Sequence, residues 1–118
     1  GECRKAIGLH EQVLEIARRI GDVQGEGGYL GSMGTAYLQL GEYHKAIGLY
    51  EQRLEIARRI GDVRGEGTAL SNMGVACALM GDKERAAHAF AQCKAAFARL
   101  GLHHMVSETD KIMKEVDL

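Results

Sequence analysis

The segment GECRKAIGLHEQVLEIARRIGDVQGEG, residues 1–27, returns almost unchanged as GEYHKAIGLYEQRLEIARRIGDVRGEG, residues 41–67. The alignment continues without a gap over residues 1–40 and 41–80, and about 26 of the 40 positions are identical. A third, more divergent copy, GDKERAAHAFAQCKAAFARLG, begins at Gly81. Self-similarity at such a period is typical of repeat proteins, in which each unit packs only against its neighbours.

Each repeat predicts two helices joined by a short connector. From Glu42 to Ile60, apolar residues recur at spacings of three and four, the pattern of an amphipathic helix. Gly61 can take the left-handed conformation that ends a helix, and Asp62 can cap the next one, predicted over 63–80. Short connectors require neighbouring helices to run antiparallel. The sequence therefore predicts an all-α fold of about six helices.

Four glycines fall inside the predicted helices, where glycine costs roughly 1 kcal/mol relative to alanine. Gly34 and Gly74 lie near the middle of one helix type, and we expect a neighbouring helix to approach them closely. Gly8 and Gly48 lie in the other type, and no packing reason is evident for them.

Composition indicates a soluble cytoplasmic protein. The net charge of -1 disfavours a nucleic-acid or membrane-surface partner, and no apolar run is long enough to span a membrane. Cys3, Cys77 and Cys93 form no CxxC pair, which favours a reducing compartment. Cys77 and Cys93 are predicted on facing helices, as buried small side chains in preference to a redox pair. The chain does not begin with methionine, so we expect a piece of a longer protein.

No pattern typical of catalysis is present, and we predict that the chain is not an enzyme. It contains no Ser-His-Asp set, no close carboxylate pair and no phosphate-binding loop with its lysine. His103-His104 with Glu108 would give a metal at most two ligands, too few for structural zinc. We therefore expect no metal and no cofactor.

The repeated positions resemble the signature of the tetratricopeptide repeat family. The period and the Gly-Asp-x-x-Gly-Glu connector resemble its longer-repeat variety, found in spindle-orientation adaptors, kinesin light chains and bacterial regulators. The resemblance covers residues 1 to about 100 and implies a right-handed α-solenoid of antiparallel helical hairpins. In the first unit it rests on Met33, Gly34, Tyr37, Gly41, Tyr43, Ala46 and Tyr50. In the second unit it rests on Leu70, Met73, Gly74, Gly81, Ala86 and Phe90, with Cys77 in place of the usual tyrosine and Lys83 in place of the usual aromatic residue.

In the family's frame, residues 1–118 form one domain with an unpaired helix at its start. That helix, residues 2–20, is the second helix of a repeat. Two complete repeats, 24–60 and 64–100, follow, and a polar-backed capping helix over 103–117 closes the stack.

The resemblance also implies a ligand-binding surface, because in this family the first helix of each repeat lines the concave face. It suggests a small, uncharged and mildly apolar surface, with Asn72 at a place where relatives hydrogen-bond their ligands. Arg64 and Gln24 lie at its rim. The predicted peptide-binding residues are Ser32, Thr35, Leu38, Gln39, Thr68, Ser71, Asn72, Val75 and Leu79, with Gly28, Gly31 and Ala78 on the same face.

Three functions remain open at this point. The first is a scaffold that binds a peptide or partner protein on the concave face. The second is a spacer or self-association segment, since helix 2–20 leaves part of its apolar stripe uncovered and could support a homodimer. That stripe comprises Ala6, Ile7, Val13, Leu14, Ala17 and Ile20. The third is the sensor arm of a larger regulator.

Overall fold

The computed structural model describes all 118 residues as six α-helices with no strands. Each helix contacts the next along the chain, and short connectors reverse the chain direction between them. The helices are α1 (Glu2–Ile20), α2 (Val23–Gln39), α3 (Tyr43–Ile60), α4 (Val63–Leu79), α5 (Lys83–Arg99) and α6 (His103–Glu115).

The helix ends follow the connector chemistry that the sequence predicts. Gly61 has φ 74°, and the next amide donates to the carbonyl of Ala57, which closes α3. The Asp62 carboxylate then accepts a hydrogen bond of 2.9 Å from the amide of Gly65 and caps α4. The predicted roles of Gly61 and Asp62 are confirmed, and Gly21 and Asp22 repeat them between α1 and α2.

Two predicted helix ends differ slightly from the structure. Helix α4 ends at Leu79, one residue before the predicted end. Helix α6 ends at Glu115, because Asp117 adopts a positive φ of 63° and cannot continue the helix.

The helices stack so that one face of the array is concave. Besides their contacts with α3, α2 and α4 contact each other, and their contact is more extensive than any between α1 and α3 or between α3 and α5. The outer surfaces of α2 and α4 line a shallow groove.

Each hairpin is held together by an aromatic ring lying on a helical glycine. A Cβ atom built on Gly34 would lie 2.7 Å from Cε1 of Tyr50, and one on Gly74 would lie 2.7 Å from Cζ of Phe90. Both rings are fully buried. The predicted close approach at Gly34 and Gly74 is confirmed, because any side chain there would collide with the ring.

The apolar core is distributed along the stack, as expected when each unit packs on its neighbours. Cys77 and Cys93 are both buried free thiols, but they belong to separate clusters. The clusters are Leu14, Leu30, Met33 and Ile56; Leu54, Ala69, Leu70, Cys93 and Phe97; and Ile47, Ala76, Cys77, Ala86 and Phe90.

We predict opposite effects for two glycine substitutions in this fold. Gly74→Ala forces a methyl group against Phe90 and lowers the free energy of unfolding by about 1–3 kcal/mol. Gly48→Ala is the control, because its Cβ would meet nothing within 4 Å. It should raise stability by up to about 1 kcal/mol through helix propensity. Urea denaturation measures both, and a Gly74→Ala protein as stable as wild type would contradict the packing described.

Candidate functional site

The groove between α2 and α4 contains a pocket of about 410 Å³ with no apolar side chain in its lining. Four of its lining residues come from α2 and one from α4, and all five were predicted on the concave face. The sixth, Arg53, comes from α3. The lining residues are Gly28, Gly31, Ser32, Thr35, Arg53 and Asn72.

Arg53 reaches this pocket from the layer behind it, across the backbone of Gly31. A Cβ atom built on Gly31 would lie 2.8 Å from Nη1 of Arg53 and 2.9 Å from its Cδ. The absent side chain at Gly31 is therefore what lets the guanidinium through. The expectation of an uncharged concave face is wrong at this point, because Arg53 comes from α3, the second helix of the hairpin, whereas the expectation rested on the first helices alone.

The hydroxyl groups in the pocket already donate hydrogen bonds to backbone carbonyls of the protein. Ser32 donates to the carbonyl of Gly28 at 3.2 Å, and Thr35 donates to the carbonyl of Gly31 at 3.1 Å. The Thr35 oxygen also lies 3.0 Å from the Tyr50 hydroxyl. Because Thr35 has one proton to give, Tyr50 must be the donor of that second bond. Neither Ser32 nor Thr35 has a hydrogen left for a ligand.

The C-terminal half of the groove is more apolar. Leu38 on α2 and Val75 on α4 are half-buried and pack against the cluster that contains Phe90. Leu79, in the last turn of α4, is 52% exposed. The groove thus passes from a polar, basic half to an apolar half along the direction of α2 and α4.

A larger proportion of positions differs between the two repeats on this face than elsewhere. All six pairs of predicted concave-face positions carry different residues, whereas only eight of the other 34 aligned positions differ. On the opposite surface, exposed residues such as Glu11, Gln12 and Arg19 recur unchanged as Glu51, Gln52 and Arg59. The differing pairs are Gly28/Thr68, Gly31/Ser71, Ser32/Asn72, Thr35/Val75, Leu38/Ala78 and Gln39/Leu79.

Ser71 lies near the buried thiol of Cys93. The Cys93 sulfur lies 3.6 Å from Oγ1 of Thr109. Burial raises the pKa of Cys93, and hydrogen bonding with Thr109 offsets part of the rise. Burial likewise raises the pKa of Cys77. A thiol with a raised pKa is a weak nucleophile at neutral pH, so both cysteines act as packed side chains.

The first helix carries an uncovered apolar patch, although not with the residues expected. Most of the predicted stripe packs inward, with Ile7, Leu14 and Ala17 buried. The exposed members of α1 are Leu9, Ile16 and Ile20, at 62, 52 and 72% exposure. Of these three, only Ile20 belonged to the predicted stripe.

A second pocket, of about 400 Å³, opens on the outer surface between α3 and α5. Its counterpart in the preceding repeat has a similar volume, about 460 Å³, with Leu49 at the position that corresponds to Ala89. No three His, Cys, Asp or Glu side chains are grouped closely enough to hold a metal ion. None of the six helices combines the length and apolarity that crossing a membrane requires.

Comparison with protein families agrees with the hairpin geometry. A profile of the tetratricopeptide repeat matches residues 1–59 and 28–99. The chain belongs to the tetratricopeptide repeat family. Repeats of this family generally mediate protein–protein interaction and are typically non-catalytic. The tetratricopeptide match includes every concave-face residue and Arg53. No curated protein matches the chain.

The buried thiols of these tetratricopeptide hairpins predict a loss of stability in alkali. Above about pH 8.5, the unfolded chain releases thiol protons that the folded chain retains, because folding raises both pKa values. The unfolded state is therefore favoured progressively as pH rises. Urea denaturation at neutral pH and at about pH 9.5 should show this decline. It should be smaller in the double variant Cys77→Ala, Cys93→Ala, and an equal decline in both proteins would contradict the assignment.

Proposed function

We propose that this chain is an interaction module that binds an extended segment of a partner protein along the groove between α2 and α4. The proposed contact residues are those predicted from the sequence together with Arg53. The predicted residues are Ser32, Thr35, Leu38, Gln39, Thr68, Ser71, Asn72, Val75 and Leu79.

The observation that carries this proposal is the location of the differences between the repeats. Solvent exposure alone would allow divergence on either surface, yet exposed outer residues of α1 recur unchanged in α3. The groove differs at every position compared. A peptide has a direction and a non-repeating sequence, so two identical concave surfaces would fit it poorly. The higher frequency of divergence in the groove supports a function in recognition that the outer surface does not share.

The chemistry of the groove suits a protein segment better than a nucleic acid. One half offers the Asn72 carboxamide and the Arg53 guanidinium, and the other offers apolar side chains, Leu38, Val75 and the exposed Leu79. The net charge of -1 provides no basic surface for a phosphate backbone. We propose a cytoplasmic, non-catalytic role, to which three free cysteines are suited.

Groove variants test this proposal. Peptides selected from a displayed random library against the immobilised chain should lose about tenfold in affinity for Asn72→Ala and for Leu79→Ala. Neither residue is buried, so both variants should fold normally. Gln52→Ala and Leu100→Ala are matched controls, because both residues are exposed and neither lines the groove pocket or the pocket beside it. Isothermal titration calorimetry gives the affinities. Peptides that tolerate the groove variants but not the controls would overturn the proposed site.

Self-association through α1 is a second candidate, favoured by the patch Leu9, Ile16 and Ile20. In the next repeat the equivalent of Ile16 is Ile56, which is buried in the cluster with Leu14 of α1. These α1 positions are therefore of a kind that packs against a neighbouring hairpin. A second copy of this chain offers the same patch and could cover it in a two-fold dimer.

Light scattering at increasing concentration tests that candidate. We expect the wild-type mass to rise toward that of a dimer, and Leu9→Gln with Ile16→Gln to remain monomeric with unchanged helix content. Leu100→Gln removes an exposed leucine at the other end of the stack and should behave as wild type. A monomeric wild type at all concentrations would exclude self-association by this patch.

A further inference from the structure

We infer that the pocket formed by Arg53 and Asn72 binds an aspartate or glutamate side chain of the bound segment. The inference rests on the proposed function and specifies the chemistry of its partner. It assigns the central contact to a residue of α3, the helix behind the groove.

The position of Arg53 goes together with two differences between the hairpins, one on each helix. In the first hairpin, Gly31 and Arg53 occupy the positions that Ser71 and Cys93 hold in the second. Ser71 lies near Cys93, whose side chain is fully buried. In the first hairpin, the Arg53 side chain passes over Gly31 instead. The two residues are coupled, because a Cβ at position 31 would lie 2.8 Å from Nη1 of Arg53 and the guanidinium would have to move.

The positive charge of Arg53 has no partner within the protein. Arg53 takes part in none of the ion pairs and in none of the side-chain hydrogen bonds of the fold. Asp62 lines the adjoining pocket, but its carboxylate caps α4 through the amide of Gly65. Arg53 is nevertheless half-buried, so it has lost part of its hydration without compensation. A bound carboxylate would restore that interaction in bidentate form.

The remaining pocket groups favour an anion as well. The hydroxyl protons of Ser32 and Thr35 are used on backbone carbonyls, so neither can donate to a ligand. The Asn72 carboxamide makes no hydrogen bond within the chain and can turn its NH₂ group toward the pocket. Arg53 and Asn72 are thus the two free donors, one on each side of the groove. Two convergent donors with one charge match a carboxylate.

The carboxylate belongs to a side chain because the pocket lies within the path of the groove and not at its end. One side adjoins a second pocket, which shares Gly28 and Arg53 and also includes Gln24. The other side leads to the apolar half at Val75 and Leu79. A segment that contacts both sides must pass over Arg53. A segment that ended at Arg53 with its terminal carboxylate would contact only one of the two sides.

Peptide selection with blocked termini provides the test. A library of short random peptides, acetylated and amidated, is selected against the wild-type chain, and we expect one position to be enriched in Asp or Glu. Calorimetry of the selected peptides should show a loss of about tenfold to a hundredfold in affinity for Arg53→Gln. Asn72→Asp should be at least as damaging, because its carboxylate competes for Arg53. Arg59→Gln removes the same charge from an exposed site on α3 and should have little effect.

A second variant separates charge placement from folding. Gly31→Ala displaces the guanidinium but keeps its charge, and it should weaken acidic peptides while leaving neutral analogues unaffected. Circular dichroism confirms folding of each variant. Peptides without an acidic position, or equal affinity for wild type and Arg53→Gln, would overturn this inference and leave the proposed function standing. Selection only from a library with free C-termini would overturn the side-chain assignment. A library yielding no groove-dependent peptide would overturn both proposals.

Discussion

An aromatic ring pressed against a glycine backbone is the contact on which the other features of this fold depend. Tyr50 on Gly34 and Phe90 on Gly74 bring the two helices of each hairpin closer than side chains on both would permit. That close approach sets the separation of α2 from α3 and of α4 from α5. It also brings Arg53 of α3 near enough to α2 to reach the groove over Gly31.

The same device, an absent side chain, serves packing at one position and recognition at another. At Gly34 the vacated space is filled by an apolar ring, which stabilises the hairpin. One turn earlier, at Gly31, it is filled by the Arg53 guanidinium, which reaches the groove and finds no partner there. The first hairpin therefore gives up some core packing for a charge on its concave surface. The second hairpin keeps the packed arrangement of Ser71 and Cys93.

Much of the fold could be predicted because its signals are local. A left-handed glycine followed by a capping aspartate fixes each connector from three or four adjacent residues, and Gly61-Asp62 behaved as its chemistry requires.

The groove was harder to predict. Arg53 belongs to a helix assigned to the outer layer, and only the three-dimensional relation between positions 31 and 53 reveals that it crosses to the inner one. One signal was present in the sequence: positions 31 and 53 both differ between otherwise similar repeats. The exposed Leu9 and Ile16 were missed for a related reason, since periodicity identifies an apolar stripe without showing which edge is covered.

The near-identity of the two repeats also poses a problem of register during folding. Helices α1 and α3 are so alike that α2 could pair with the wrong one, in a chain displaced by one repeat or exchanged with another molecule. The positions at which α1 and α3 differ distinguish the correct pairing from the displaced one. His10 stands where α3 has Tyr50, and Val13 stands where it has Arg53. In the displaced pairing, an imidazole would replace the ring over Gly34 and a short apolar side chain would leave the gap at Gly31 unfilled. The residues that shape the groove thereby also mark α3 as the proper partner of α2.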